Sequence, residues 1–254
     1  HIATGVAAEH DSLVAGNICN TNIYEPDDPE SQRLTREMFV EQVAWAVEAG
    51  VDFVIGETFS YAQEALLALE VIKKAGLDAV ITMAIHRHPE TREGWTVAEA
   101  RRRIEDAGAD VVGLNCIRGP WTMLPLLEAV RSACTGHIAA LPVPYRTTAD
   151  EPTFQSLTDP HSGPVPEGRP FPTALDPFVC NRYELGAFTT AAHELGVDYL
   201  GVCCGAGPHH IRAVAEALGR TPPASRFSAD MSRHAFFGND ARLSARNREF
   251  ASEL

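Results

Sequence analysis

The chain has 254 residues, 45% of them hydrophobic, enough to bury one large α/β core or two small ones. Its 34 acidic against 21 basic residues give a formal charge of −13, and no basic run exceeds Arg101-Arg102-Arg103. That balance argues against nucleic acid and against an anionic membrane surface as partners. No apolar run approaches the ~18 residues of a membrane-spanning helix, and His1-Ile2-Ala3-Thr4-Gly5 lacks the features of a signal peptide. Six cysteines in such a chain point to a reducing, cytoplasmic setting and to metal or catalytic use.

Short apolar runs alternate with amphipathic stretches, the pattern of a parallel sheet with crossover helices. The runs Leu13–Cys19, Asp52–Thr58, Ala79–Ile85, Asp110–Cys116, His137–Val143 and Tyr199–Cys204 read as strands. Asp28-Pro29 opens a helix as N-cap and first-turn proline. Phe39, Val43, Ala46 and Val47 then fall on one face, and Gly50 ends the helix. The junctions Ala49-Gly50-Val51-Asp52, Ala75-Gly76-Leu77-Asp78 and Ala107-Gly108-Ala109-Asp110, with the variant Leu195-Gly196-Val197-Asp198, repeat a helix–glycine–strand plan. This is the recurring unit of a (β/α) barrel, with a doubly wound open sheet as the competitor.

The chain is read as one domain, 1–254. Within it, 147–177 is a long loop rich in proline, glycine and aspartate, of the kind that is functional or wraps a neighbouring subunit. The segment 220–254 is a polar, arginine-rich tail with a short helix near its end, a surface or oligomer-contact element that leaves a homo-oligomer open. Only six strand candidates occur, where a closed barrel has eight. The chain opens without methionine in what reads as mid-helix, at Val6, Ala7 and Ala8. The expectation is an incomplete TIM-type (β/α)8 barrel lacking its first two strand–helix units.

Polar residues gather just after each strand: Cys19-Asn20-Thr21, Glu57-Thr58, His86, Asn115-Cys116, Tyr145 and Cys203-Cys204. Parallel α/β folds place active sites there. Cys116 ends one strand, and Cys203 and Cys204 end another before Gly205. Three thiolates converging on one point would hold zinc with an open fourth position. The bland alternative is small apolar packing. Alternation would then send one of the adjacent pair to the far face, unless the strand ends or bends at Gly205. Cys19 reads mainly as packing, Cys134 and Cys180 lack partners at metal spacing, and His209-His210 reads as a helix cap or surface pair. A site role for His86 and His88 is the weaker reading, and Asn115 either orients the site or satisfies backbone.

Gly113-Leu114-Asn115-Cys116 with Gly201-Val202-Cys203-Cys204-Gly205, followed by Pro208-His209-His210-Ile211-Arg212, resembles the zinc-dependent homocysteine S-methyltransferases, closest to the betaine branch. Leu13-Val14-Ala15-Gly16, Phe53-Val54-Ile55-Gly56-Glu57, Pro170-Phe171-Pro172 and Leu175-Asp176-Pro177 extend the likeness. Tyr145, in Pro142-Val143-Pro144-Tyr145, matches the betaine branch where folate-dependent relatives carry an Asn-Ala-Gly run. The resemblance implies a barrel in which Cys116, Cys203 and Cys204 bind Zn2+ and Glu57 receives the amino group of homocysteine. It implies methyl transfer from a betaine-like or sulfonium donor to the zinc-bound thiolate of homocysteine, giving methionine. The family's Gly-Asp-Gly segment and donor-caging aromatics have no counterpart here. Two rivals stand beside this reading: a metal-free barrel enzyme with a cysteine nucleophile, and a non-catalytic zinc-binding barrel remnant.

Overall fold

The computed structural model describes residues 2–161 and 168–253. Helix α1 (Ile2–His10) precedes an alternation of strands and helices. These are β1 (Ala15–Cys19), α2 (Pro29–Ala49), β2 (Phe53–Phe59), α3 (Ala62–Lys74), β3 (Asp78–Met83), α4 (Val97–Asp106) and β4 (Val111–Asn115). After them come α5 (Pro120–Ala133), β5 (His137–Leu141), α6 (Arg182–Glu194), β6 (Tyr199–Leu200), α7 (Pro208–Ala217) and α8 (Ala245–Ala251). The six strands are parallel and lie in sequential order, β1 to β6. All six expected strands are present. Among the described residues the sheet does not close, and β1 and β6 are its edges.

Period-2 alternation splits each strand between two faces. Ile18, Val54, Ile81, Val112, Leu114, Ile138 and Ala140 point into the main core with Leu69, Ile72, Ile104, Leu127 and Phe188 of the covering helices. The opposite face carries Asn17, Cys19, Glu57 and Asn115, as the concave side of a barrel does. Asp28 caps α2 through the Glu30 N–H, and Gly50, at φ 69°, returns its own N–H to Ala46 and Val47. Phe39 and Val43 are buried as expected, but Val47 is 50% exposed. The other three face residues, Phe39, Val43 and Ala46, pack on the core, and Val47, one position past Ala46, rotates off that stripe.

The repeated junctions have a use beyond turning the chain. Asp52 accepts the Val14 N–H at 2.7 Å, Asp110 that of Ala79 at 2.7 Å, and Asp198 that of Ile138 at 3.1 Å. Each aspartate thus ties the start of its strand to the start of the preceding neighbour, satisfying a backbone donor that the ladder leaves over.

The 147–177 loop does not stand away from the sheet. Positions 162–167 of it lie outside the described residues. The remainder folds back over the strand ends, where Phe154, Leu157 and Leu175 join Ala84, Cys116, Ile117, Val143 and Tyr145 in a second apolar cluster. The Phe154 N–H bonds to the Ile117 carbonyl at 2.9 Å, and Tyr145 stacks on Phe154 at 5.8 Å. The 220–254 tail runs through short turns at Pro223–Phe227 and Met231–Arg233 to α8, largely exposed as read.

Candidate metal centre and adjoining cavity

The sulfurs of Cys116, Cys203 and Cys204 lie within 4.8 Å of one another at the carboxyl end of the sheet. Cys116 and Cys204 are 3.5 Å apart, Cys203 and Cys204 3.9 Å. Cys116 reaches the centre because the chain leaves β4 at left-handed residues, Cys116 at φ 56° and Ile117 at φ 60°. Such φ values are costly for a β-branched isoleucine, and strain of this kind collects at functional sites. On the other side, β6 is shorter than expected, ending at Leu200. Pairing continues as isolated bonds from Gly201 to Ala140 and Cys203 to Pro142, and Gly205 then turns at φ 86°. Release from strict alternation lets adjacent cysteines face one point. An added Cβ at Gly205 would sit 2.1 Å from the Tyr145 hydroxyl, so that ring fixes the turn from above.

The cluster's protonation is uneven. A hydrogen bond from the Cys116 thiol pulls Cys203 down to about 6, whereas Cys116 is raised because its proton is held in that bond and by burial. Burial and the neighbouring Cys203 raise Cys204. Three sulfur ligands on a tetrahedral zinc, each at ~2.3 Å, lie about 3.8 Å apart. The two spacings made by Cys204 bracket that value and the third lies within 4.8 Å, so the three thiols suit the ion in type and lie close enough to share one.

Glu57, at the end of β2, accepts from Asn17 Nδ2 at 2.7 Å and from Asn115 Nδ2 at 3.1 Å. Asn115 also accepts the Thr58 N–H at 2.9 Å, and its Nδ2 lies 3.9 Å from Cys203 Sγ. Asn115 thus satisfies backbone at Thr58, and its amide lies between Glu57 and Cys203. Cys19 pairs in register with Glu57 but stays outside the trio; burial and the charges of Glu57 and Glu64 raise its thiol. Cys134 and Cys180 are buried elsewhere, raised by burial to about 11 and about 12. His210 is a helix-start device: Nδ1 accepts the Gly207 N–H at 2.9 Å and Nε2 reaches the Cys180 carbonyl at 3.2 Å.

A cavity of about 720 Å³ is lined by Thr58 and Ile117, which directly follow Glu57 and Cys116 in the chain, together with His86 and His88. Ser60 Oγ lies 3.1 Å from His86 Nε2, and the His86 ring is lowered by burial, then by Arg92 and Arg118. Arg118 is itself 7% exposed and donates to the carbonyls of Ile85 at 3.1 Å, Arg87 at 3.0 Å, and His86. Asn17, Ser60, Arg92 and Arg118 were not singled out from the sequence. Their common signal is position, since each lies in or just beyond the carboxyl half of a strand or on the loop that follows one.

Residues 1–218 match the sequence profile described as homocysteine S-methyltransferase. The chain belongs to the homocysteine S-methyltransferase family. It is 33% identical to the S-methylmethionine–homocysteine S-methyltransferase BHMT2 of Rattus norvegicus over 234 residues, 88% of this chain and 61% of the relative. It is 34% identical to betaine–homocysteine S-methyltransferase 1 of Xenopus tropicalis, over 88% of this chain and 55% of that one. The chain therefore spans roughly three fifths of the length of these curated relatives. In fold it is similar to the homocysteine methyltransferase MmuM from Escherichia coli, with TM-scores of 0.60 to the apo and 0.59 to the metallated form at 14% identity. The superposition covers 84% of this chain and 67% of the apo MmuM chain.

Proposed function

We propose that this family member transfers a methyl group from a cationic donor, a quaternary ammonium or a sulfonium, to the thiolate of homocysteine, giving methionine. The observation that carries the reading is the sulfur trio, gathered within 4.8 Å, joined through Asn115 to a doubly held carboxylate. Cys116, Cys203 and Cys204 would hold Zn2+, which when bound lowers the pKa of an incoming thiol, while three anionic ligands keep that sulfur electron-rich. The relatives' names specify S-methylmethionine in one case and betaine in the other as donor, and both classes suit this chemistry.

The chain's own residues supply the rest. Glu57, oriented from both sides by Asn17 and Asn115, receives the substrate's ammonium and so sets where its thiol falls. Tyr145 and Phe154 pack with Cys116 and against Cys203 on the loop side, and Cys204 stays open to solvent. A sulfur lone pair forms the new S–C bond as the methyl–nitrogen or methyl–sulfur bond breaks. The departing group keeps that electron pair and leaves neutral at the former onium. No covalent methyl–protein species is needed. A cytoplasmic location belongs with this reading, because the three thiols bind metal only when reduced.

The test is methionine formation from homocysteine with betaine or S-methylmethionine, together with metal analysis of protein purified without chelator. About one zinc per chain, lost with activity in Cys204→Ser, supports the reading. Active protein without metal would favour a cysteine nucleophile. Zinc binding without product would favour a non-catalytic remnant.

A further inference from the structure

Tyr145 lies between the two arms of the chain that deliver the sulfurs. Cys116 comes three residues before Gly119 on one arm, and Cys204 directly precedes Gly205 on the other. Each glycine is pressed against the same tyrosine. A Cβ added at Gly119 would lie 2.0 Å from the Tyr145 carbonyl oxygen, and one at Gly205 would lie 2.1 Å from its hydroxyl oxygen. Neither position has room for a methyl group unless a partner moves. The residue therefore spans the gap between the arms, its main chain against one and the tip of its ring against the other.

The tyrosine is itself anchored. Its ring stacks on Phe154 at 5.8 Å with 5° between the planes, and its backbone bridges to Val179. Neighbouring bonds tie the same segment to both arms. The Gly119 N–H donates to Thr147 Oγ1 at 3.1 Å, the Val143 N–H to the Arg118 carbonyl at 3.0 Å, and the Cys203 N–H to the Pro142 carbonyl at 2.9 Å. The link from Gly119 back to Cys116 is short and stiff, because the Arg118 N–H closes on the Cys116 carbonyl at 2.6 Å and Arg118 is buried. A shift at either glycine is thus passed on to a sulfur. Among the described residues the Tyr145 hydroxyl makes no hydrogen bond, so what it contributes at Gly205 is reach.

We propose that Tyr145 is a positioning residue of the metal centre, a spacer that holds the Cys116 and Cys204 arms at the separation one shared metal requires. The inference rests on the metal reading of the trio and not on the identity of the acceptor thiol. A tetrahedral zinc tolerates little error in its ligands, whose sulfurs lie about 3.8 Å apart, and Cys116 and Cys204 stand at 3.5 Å. A tyrosine suits the task because it has few rotatable bonds and is stiff along its length. One that only filled the second apolar cluster could lose its hydroxyl with no effect on the metal.

The test compares Tyr145→Phe and Gly119→Ala with wild type as intact protein, with neither methyl donor nor acceptor present. Tyr145→Phe keeps the stack on Phe154 and removes the reach toward Gly205. Gly119→Ala acts on the other arm: its φ of −75° is open to alanine, so the added methyl group disturbs only the close approach to Tyr145 and Thr147. Zinc Kd is measured by chelator competition, ligand geometry by the visible absorption of cobalt-loaded protein, and folding by the melting temperature of the metal-free form. The expected result is a rise of about tenfold in the zinc Kd of each variant, the lower end of what residues behind a metal's ligands cost. The cobalt bands shift, and the metal-free melting temperature of Tyr145→Phe stays that of wild type. Where Gly119→Ala fails to fold, Tyr145→Phe decides alone. An unchanged zinc Kd and cobalt spectrum in Tyr145→Phe overturn the proposal and leave the metal reading standing. A lower metal-free melting temperature with an unchanged zinc Kd also overturns it, because the tyrosine then supports only the fold. Wild-type protein that takes up neither metal overturns the metal reading and the spacer together.

Discussion

Asn115 donates to Glu57 at 3.1 Å while its carbonyl oxygen holds the Thr58 N–H at 2.9 Å, so one amide fixes both the carboxylate and the left-handed turn after it. An amide suits this place because it donates and accepts at once. Asn115→Ala should lower kcat/KM by about 10–100-fold, the usual cost of losing a residue that orients a site. Asn115→Asp should be worse, since it sets a second carboxylate against Glu57 and the thiolates. Steady-state kinetics on both variants checks the order, and Asn115→Asp retaining more activity than Asn115→Ala would contradict it.

Metal should stabilise the fold, because the trio joins the residue after β4 to the segment that follows β6. Adding zinc to chelator-treated protein should raise the melting temperature by several degrees, and Cys204→Ser should abolish that rise. In the metal-free state mild oxidation should link Cys116 to Cys204, the nearer pair at 3.5 Å. Peptide mapping by mass spectrometry reads the linkage.

His210 makes stability depend on pH. It is 1% exposed, both ring nitrogens are engaged, and burial, then His209, lowers it below the ordinary histidine value. A base lowered on folding binds more protons when unfolded. Its contribution is complete above the unfolded value near 6.5 and is lost as pH falls through the folded one. The melting temperature should therefore drop from pH 7 to pH 5. His210→Asn, which keeps an acceptor for Gly207 without the titration, should flatten that part of the curve.

Arg101 should be a stability liability. It is fully buried, burial lowers it to about 9, and its single bond runs to the Ile81 carbonyl at 3.1 Å. Its Nε and Nη2 have no partner among the described residues. Arg101→Met should raise stability by about 1–3 kcal/mol, measurable by urea denaturation, because it removes a poorly compensated charge while keeping most of the volume.

Much of this was legible from local patterns. The six strands follow from apolar runs between glycine stops, and the start of α2 from Asp28-Pro29. The convergence of Cys116 with Cys203 and Cys204 could be anticipated because each ends a strand and Gly205 allows a bend. What escaped lies between elements. Nothing in Thr58 or Ile117 announces a left-handed backbone, since β-branched residues avoid it and only tertiary contacts enforce it. The folding-back of the 147–177 loop depends on Phe154 meeting Tyr145 and Ile117, contacts with no periodic trace. The exposure of Val47 reflects its place one residue past Ala46, at the edge of a stripe whose width helical spacing alone does not fix.

The grip of Arg118 on the carbonyls of Ile85, His86 and Arg87 holds that segment by its main chain, in addition to the buried Ile85 side chain and the bond of His86 to Ser60. The exposed side chains of Arg87 and His88 are thereby released from architectural duty. Sequence drift at positions 87 and 88 can therefore alter the cavity's lining while the sulfur trio and the scaffold stay as they are.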